Sequence, residues 1–121
     1  MPKIRLISAV ALLSTILLAS NALAKTLYVE TFGDDQGGGN TSCAKALPCA
    51  SIQHALDNAT PGSRVIVGPG LYVGSLTMSM DRVKLISVAG ARATTIEADG
   101  DDGVYVDADK ISVGQKGKGF T

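Results

Sequence analysis

Residues 61–73 have the sequence P-G-S-R-V-I-V-G-P-G-L-Y-V, and this stretch carries the pattern that decides the fold. A Pro-Gly turn precedes the run R-V-I-V, and the turn G-P-G leads at once into the run L-Y-V. Short runs rich in Val, Ile and Tyr between Gly and Pro residues are typical of β-strands. The stretch therefore predicts two very short strands joined by a tight turn.

The same pattern of short strand-like runs and turns continues along the chain. Short β-type runs alternate with Gly-rich or Asp-rich turns at residues 64–67, 71–73, 75–78, 83–88, 94–97, 103–106 and 110–113. They are too short and too evenly spaced for the hairpins of a β-sandwich, and only Asp102-Gly103 has the composition of a hairpin turn. The runs therefore predict strands that pair with distant rather than adjacent strands.

A repeat is visible among these runs. Val65 and Ile66 recur as Leu85 and Ile86, 20 residues later, and again near residues 111–113, after a step of about 26. Three short strands within such a period are typical of a parallel β-solenoid, in which each coil stacks on the next through backbone hydrogen bonds. We therefore predict an all-β parallel solenoid.

The preceding residues predict a strand, a loop and one helix. Thr26–Glu30 has the composition of a strand, and the polar, Gly-rich residues 31–41 predict a loop. Residues 51–59 predict a helix, because a serine N-cap precedes apolar residues at i, i+3, i+4 and i+7 and a Pro-Gly turn follows. The N-cap and the apolar stripe are Ser51, Ile52, Ala55, Leu56 and Ala59.

Four segments together resemble the N-terminal part of right-handed parallel β-helix proteins with the pectate-lyase-like fold. They are L-Y-V-E-T-F-G-D-D (27–35), C-A-S-I-Q-H-A-L-D-N-A (49–59), P-G-S-R-V-I-V-G-P-G-L-Y-V (61–73) and V-K-L-I-S-V-A-G-A-R-A-T-T-I (83–96). The resemblance implies that the helix plugs the N-terminal end of the coil stack. The resemblance says little about function, since lyases, esterases and adhesins all resemble one another in this segment.

The organisation expected from these patterns has three parts: a signal peptide at 1–24, an N-terminal strand, loop and capping helix at 25–63, and the first coils at 64–121. Because no C-terminal cap follows the last run, we expect the chain to be the front of a longer protein or a truncated product. On this reading, further coils or a second copy would cover the open end, and the chain made alone would self-associate.

The N-terminus has the layout of a secretory signal peptide. Basic residues precede the apolar run Leu6–Ala19, and Ala22-Leu23-Ala24 is a small-residue cleavage site. The run has 14 residues, fewer than the 18 or so that span a bilayer. We therefore expect cleavage after Ala24, no membrane span afterwards, and a periplasmic or extracellular protein.

The two cysteines lie in the exported part. Cys43 and Cys49 are too far apart in sequence for a C-x2-C zinc motif, and His54 is the only histidine in the chain. In an oxidising compartment, we expect a local disulfide.

Charge limits the choice of partners. From Lys25 onward the chain carries nine basic and eleven acidic residues, a net charge of −2. A nearly neutral chain has no field that attracts a polyanion, so a nucleic-acid partner is not expected.

Candidate chemistry in the sequence is sparse. Asp99, Asp101 and Asp102 belong to an acidic turn that could hold Ca²⁺, although the spacing is not that of an EF-hand, and we expect no other cofactor. Asp34 and Asp35 are a carboxylate pair, expected to be solvated in the Gly-rich loop. His54 lies off the apolar stripe and is expected to be exposed and inert.

Two functions remain. The resemblance to lyases and esterases favours an exported β-helix protein that binds or processes polysaccharide, with its catalytic groups outside this chain. The alternative is a non-catalytic, surface or adhesin-like structural β-helix protein, or else a truncated remnant with no function of its own. No catalytic residue is identified, and whether the whole protein is an enzyme stays open.

Overall fold

The computed structural model describes residues 23–100 and 102–121, and it consists mostly of strands with one short α-helix. The helix, α1, is Ile52–Asp57, and a 3-10 turn covers Gln36–Gly38. The strands are β1 Thr26–Val29, β2 Arg64–Val67, β3 Gly70–Val73, β4 Leu76–Met78, β5 Lys84–Ser87, β6 Thr94–Glu97, β7 Val104–Val106 and β8 Ser112–Val113.

The predicted signal peptide falls almost wholly on residues 1–22, outside the described residues. Among the described residues, no helix has the length and apolar character needed to cross a bilayer. Cleavage and export therefore stay predictions.

All strand pairing between the named strands is parallel. One sheet has the order β1-β2-β5-β8, and two smaller sheets pair β3 with β6 and β4 with β7. After β1, the chain visits the three sheets in the same order twice, with β2-β3-β4 and β5-β6-β7, before it returns to the first with β8. Parallel pairing of distant strands, rather than hairpins, is confirmed.

The repeat length is confirmed for the first step and corrected for the second. Val65 pairs with Leu85, which is the predicted step of 20, but Leu85 pairs with Val113, a step of 28 rather than about 26. The additional residues lie in two turns, since residues 88–93 and 98–103 replace the two-residue turns 68–69 and 74–75. Turns on the surface accept insertions while the strand register is kept.

One core receives side chains from all three sheets. Leu27, Val65 and Leu85 occupy successive registered positions and are each fully buried. Tyr72 on β3 and Met78 on β4 join the same core cluster. Because side chains alternate along a strand, the neighbours of these residues point outward.

The helix covers the N-terminal end of this core. The predicted stripe of Ile52, Ala55, Leu56 and Ala59 is buried, which confirms the phase of the helix. Ser51 is the N-cap as predicted, because its side chain accepts a hydrogen bond from the His54 backbone N–H at 3.3 Å.

Two of the three sheets have a covered edge at this end. The disulfide loop covers β1, where the Tyr28 N–H donates to the Cys43 carbonyl at 2.7 Å and the Cys49 N–H donates to the Tyr28 carbonyl at 2.9 Å. The Gln53 side-chain amide covers β4 by accepting from the Thr77 N–H at 2.8 Å and donating to the Thr77 carbonyl at 3.1 Å. The third sheet ends at β3, whose outward side chains are exposed.

Candidate functional site

A groove lies on the outer side of the four-stranded sheet, at its N-terminal end. Its volume is about 350 Å³, and its lining combines aromatic, aliphatic and charged side chains: Tyr28, Glu30, Phe32, Lys45, Pro48, Ile66 and Val88. β1 positions the first two, because Leu27 and Val29 face the core and the alternate residues therefore face outward.

The disulfide loop forms one wall of this groove. The predicted Cys43–Cys49 bond is present, with the two Cα atoms 4.9 Å apart and both side chains fully buried. Cys49 lies beside Val29 as a parallel bridge, so the loop follows β1 as a further short strand. This pairing holds Pro48 and Lys45 next to the sheet.

A tight turn packed against the disulfide loop carries Phe32. The Gly33 N–H donates to the Glu30 carbonyl at 2.9 Å, which closes the turn. A Cβ atom at Gly33 would overlap the Cys49 carbonyl, so only glycine permits this approach. As a result, the Phe32 ring stands 78 % exposed at the mouth of the groove.

Glu30 lines the groove and is half-buried. Its carboxylate lies against the Cα of Gly68, where any side chain would overlap it. Below it, the Tyr72 hydroxyl donates to the Gly68 carbonyl at 2.9 Å. Burial, and secondarily the negative charge of Glu30, raise the pKa of Tyr72 to about 12, so this hydroxyl stays a hydrogen-bond donor at neutral pH.

Asp35 has a structural role that the sequence did not indicate. Its Oδ1 accepts from the N–H groups of Ala50 at 2.7 Å and Ser51 at 3.3 Å, and its Oδ2 accepts from the Ser51 hydroxyl at 2.8 Å. Burial acts to raise the pKa of Asp35, but these hydrogen bonds and the charge of His54 outweigh it, and the pKa is lowered. The expectation of a solvated side chain is wrong for Asp35.

Asp34 behaves as expected, and the two carboxylates do not work as a pair. Asp34 is exposed, and its Oδ1 accepts only from the Gln36 N–H, at 2.7 Å. Asp35 is turned toward the start of α1 instead. The two groups therefore do not form an acid and base facing one substrate.

His54 is half-buried, so the expectation that it is exposed is wrong. Residues 31–41 fold back over its face of the helix, and its Nε2 lies 2.8 Å from the Asn40 carbonyl oxygen. The ring lies with Asp35 and Cys49 in a group whose possible ligand atoms are all within 4.8 Å of one another. With the disulfide formed, the sulfur in this group is not a thiolate.

The acidic turn near residue 100 is not tested as a calcium site and stays a prediction. Asp99 is exposed, and its Oδ1 accepts from the Ser75 N–H at 3.3 Å. Asp102 is exposed as well, and Asp101 lies outside the described residues.

No protein-family model, curated protein or solved structure matches this chain. Residue chemistry and geometry therefore carry the functional argument. Two weak signals for the groove are visible in the sequence: Phe32 lies in an otherwise polar loop, and Glu30 ends the predicted strand Thr26–Glu30.

Proposed function

We propose that this chain is the N-terminal part of an exported right-handed parallel β-helix protein that binds polysaccharide. The architecture is supported by three parallel sheets visited in the same order and by core residues in register from one pass to the next. The helix over one end of the core and the resemblance to pectate-lyase-like proteins support it further.

Export is supported by the signal-peptide pattern and by the disulfide, which persists in oxidising compartments. We expect protein recovered outside the cytoplasm to begin at Lys25, which N-terminal sequencing would test. A start at Met1 would contradict the export proposal.

The observation that carries the binding proposal is the exposed Phe32 ring beside Glu30 and Lys45 in one groove. Sugar rings present apolar C–H faces bordered by hydroxyl groups. An aromatic ring offers a flat apolar surface to the C–H faces. A carboxylate accepts hydrogen bonds from the hydroxyl groups, and an ammonium group donates hydrogen bonds to them. Binding sites commonly combine such apolar lining with a few fixed polar groups.

Binding rather than catalysis suits the groups that line the groove. Among them, Glu30 is the one carboxylate. The pKa of the neighbouring Tyr72 hydroxyl is about 12, so this group keeps its proton at neutral pH. Asp35 accepts hydrogen bonds from backbone N–H groups at the start of α1. A general acid and base for sugar chemistry would have to come from residues other than these.

The test is affinity electrophoresis and calorimetry of purified residues 25–121 against soluble polysaccharides, beginning with polygalacturonate and neutral galactans and glucans. We expect Phe32→Ala to weaken binding at least tenfold. Tyr105→Ala is the matched control, since Tyr105 is another exposed aromatic residue but lies on β7, away from the groove. Equal loss in both variants, or no binding to any polysaccharide, would overturn the proposal.

The alternative is a non-catalytic structural protein of the adhesin type. It is favoured by the edge strand β3, which carries exposed Leu71 and Val73 and no charged residue. Such an edge accepts a further strand. Concentration-dependent association, abolished by Val73→Lys and without polysaccharide binding, would support this function instead.

A further inference from the structure

A second site is built around the backbone carbonyl of the buried residue Asn40, next to the disulfide. The Sγ atoms of Cys49 and Cys43 lie 3.3 and 3.8 Å from this oxygen, and the Nε2 of His54 lies 2.8 Å from it. Asp35, Cys49 and His54 hold their possible ligand atoms within 4.8 Å of one another. One carboxylate, one imidazole and two sulfurs therefore converge.

We propose that reduction of the Cys43–Cys49 disulfide converts this cluster into a Zn²⁺ site with Cys43, Cys49, His54 and Asp35 as ligands. Zn²⁺ prefers four ligands of these types in a tetrahedron. Bond lengths of about 2.0 to 2.3 Å place tetrahedral ligand atoms about 3.3 to 3.8 Å apart. The ligand atoms of Asp35, Cys49 and His54, within 4.8 Å of one another, need a contraction of about 1 Å to reach this geometry. Cys43 joins as the fourth ligand when its sulfur, released from Cys49, turns toward the other three ligand atoms.

The redox step balances with an external dithiol. A reductant of this class transfers two electrons to the disulfide, leaves as its own disulfide, and delivers two protons, so that Cys43 and Cys49 become thiols. Zn²⁺ then displaces both thiol protons and binds the thiolates. The oxidised protein has no thiolate to offer, so the site exists only in the reduced protein.

The surrounding hydrogen bonds favour a site that stays assembled after reduction. The Asn40 side chain is buried, and its Nδ2 donates to the carbonyls of Asp34 at 2.8 Å and Leu47 at 3.0 Å. Its Oδ1 accepts from the Cys43 N–H at 3.2 Å. These contacts hold both ends of the disulfide loop without the S–S bond.

Asp35 is oriented by the start of α1. Two N–H groups and the Ser51 hydroxyl occupy three of the roughly four lone-pair directions of the carboxylate. One direction remains for a metal, and the three hydrogen bonds act as the outer contacts that orient metal ligands. Binding requires the Nε2 of His54 to exchange its contact with the Asn40 carbonyl for the metal.

The experiment compares oxidised residues 25–121 with the same protein reduced by the dithiol dithiothreitol and then desalted without oxygen, using Zn²⁺ in competition with a chromophoric chelator. We expect the reduced protein to bind one Zn²⁺ per chain, at least 100-fold more tightly than the oxidised protein. Co²⁺ should give the thiolate charge-transfer band and the strong visible bands of a tetrahedral site. About two protons should be released per metal ion.

The variant His54→Gln distinguishes a four-ligand metal site from metal binding by two thiols alone, because it removes the imidazole and leaves both cysteines in place. We expect it to weaken Zn²⁺ binding by the reduced protein at least tenfold, whereas Asp34→Asn, in the same loop, should change it less than twofold. Circular dichroism checks that each reduced variant keeps its strands. If a variant unfolds, the wild-type Co²⁺ spectrum still decides. Equal binding by oxidised protein, equal binding by His54→Gln, or an octahedral Co²⁺ spectrum would overturn the proposal.

Discussion

The backbone of residues 23–63 and the backbone of the strands that follow are hydrogen-bonded in different ways. In the first region, side chains make many of the hydrogen bonds to the backbone. Asp35 bonds the Ala50 N–H, 15 residues away, Ser63 bonds the Lys25 N–H, 38 residues away, and Asn40 bonds the Leu47 carbonyl, seven residues away. From β2 onward, the strands bond mainly to one another through parallel ladders. The first region therefore depends on individual residues, whereas the second depends on an apolar pattern that many sequences could satisfy.

The helix that joins the two regions gives the largest expected effect. Leu56→Asp places a carboxylate among buried apolar side chains, and we expect it to destabilise the protein by about 4 kcal/mol. Urea denaturation measures the change. Val73→Asp is the matched control, because Val73 is 73 % exposed and should change stability by less than about 0.5 kcal/mol. Similar losses in both variants would mean that the helix does not seal the core.

Leu85→Ala tests the repeating region. Leu85 is fully buried between Val65 and Val113 in the register, and its truncation should cost about 3 kcal/mol through lost burial and a residual cavity. Val88→Ala, at an exposed position just after β5, should cost less than about 0.5 kcal/mol. Thermal unfolding of the two variants provides the comparison, and a loss below 1 kcal/mol for Leu85→Ala would place this column outside the core.

The disulfide tests the first region alone. Replacing Cys43 and Cys49 together by serine should destabilise the protein by about 2 kcal/mol, the chain-entropy value for a loop this short. Hydrogen exchange should then show faster opening at Tyr28 and Glu30, which the loop covers, while β5 keeps its protection. Uniform acceleration through β5 would show that the two regions unfold as one unit.

Asp35 gives the smallest effect, with a defined pH dependence. Because its pKa is lowered below 3.8 in the folded chain, its contribution to stability is complete above that value and is lost as the pH falls through the folded pKa. We expect Asp35→Asn to cost about 1 kcal/mol at pH 7 and to lessen the loss of stability on acidification. Asp34→Asn, at the exposed neighbouring position, should change stability at pH 7 by less than about 0.5 kcal/mol. Parallel profiles for Asp35→Asn and the wild type would contradict this assignment.

The contrast between the regions also explains what could be predicted. Strands at 64–67 and 94–97, the helix phase and the disulfide follow from local composition and spacing, and all are present. The Gln53 contact with Thr77 joins residues 24 apart. No local pattern specifies such a contact, because it depends on where the chain returns.

His54 illustrates the same limit. A helical wheel places it away from the apolar stripe, which is correct, but exposure does not follow from that position. The Gly-rich loop folds back over this face, where Asn40 meets the ring. The groove was missed for the same reason, since Phe32, Lys45 and Val88 lie far apart in sequence.

The short span of the disulfide loop has a consequence for the order in which the chain folds. Cys43, Cys49 and α1 make contacts across a few residues, whereas β1 must wait for β2, 38 positions away in the register. Closing small loops is fast, and parallel pairing over long separations is slow. A chain that emerges N-terminus first would therefore bring Cys43 and Cys49 together before the β1–β2 ladder exists. Gln53 would meet Thr77 only when β4 arrives, so the strands would complete the cap that covers them.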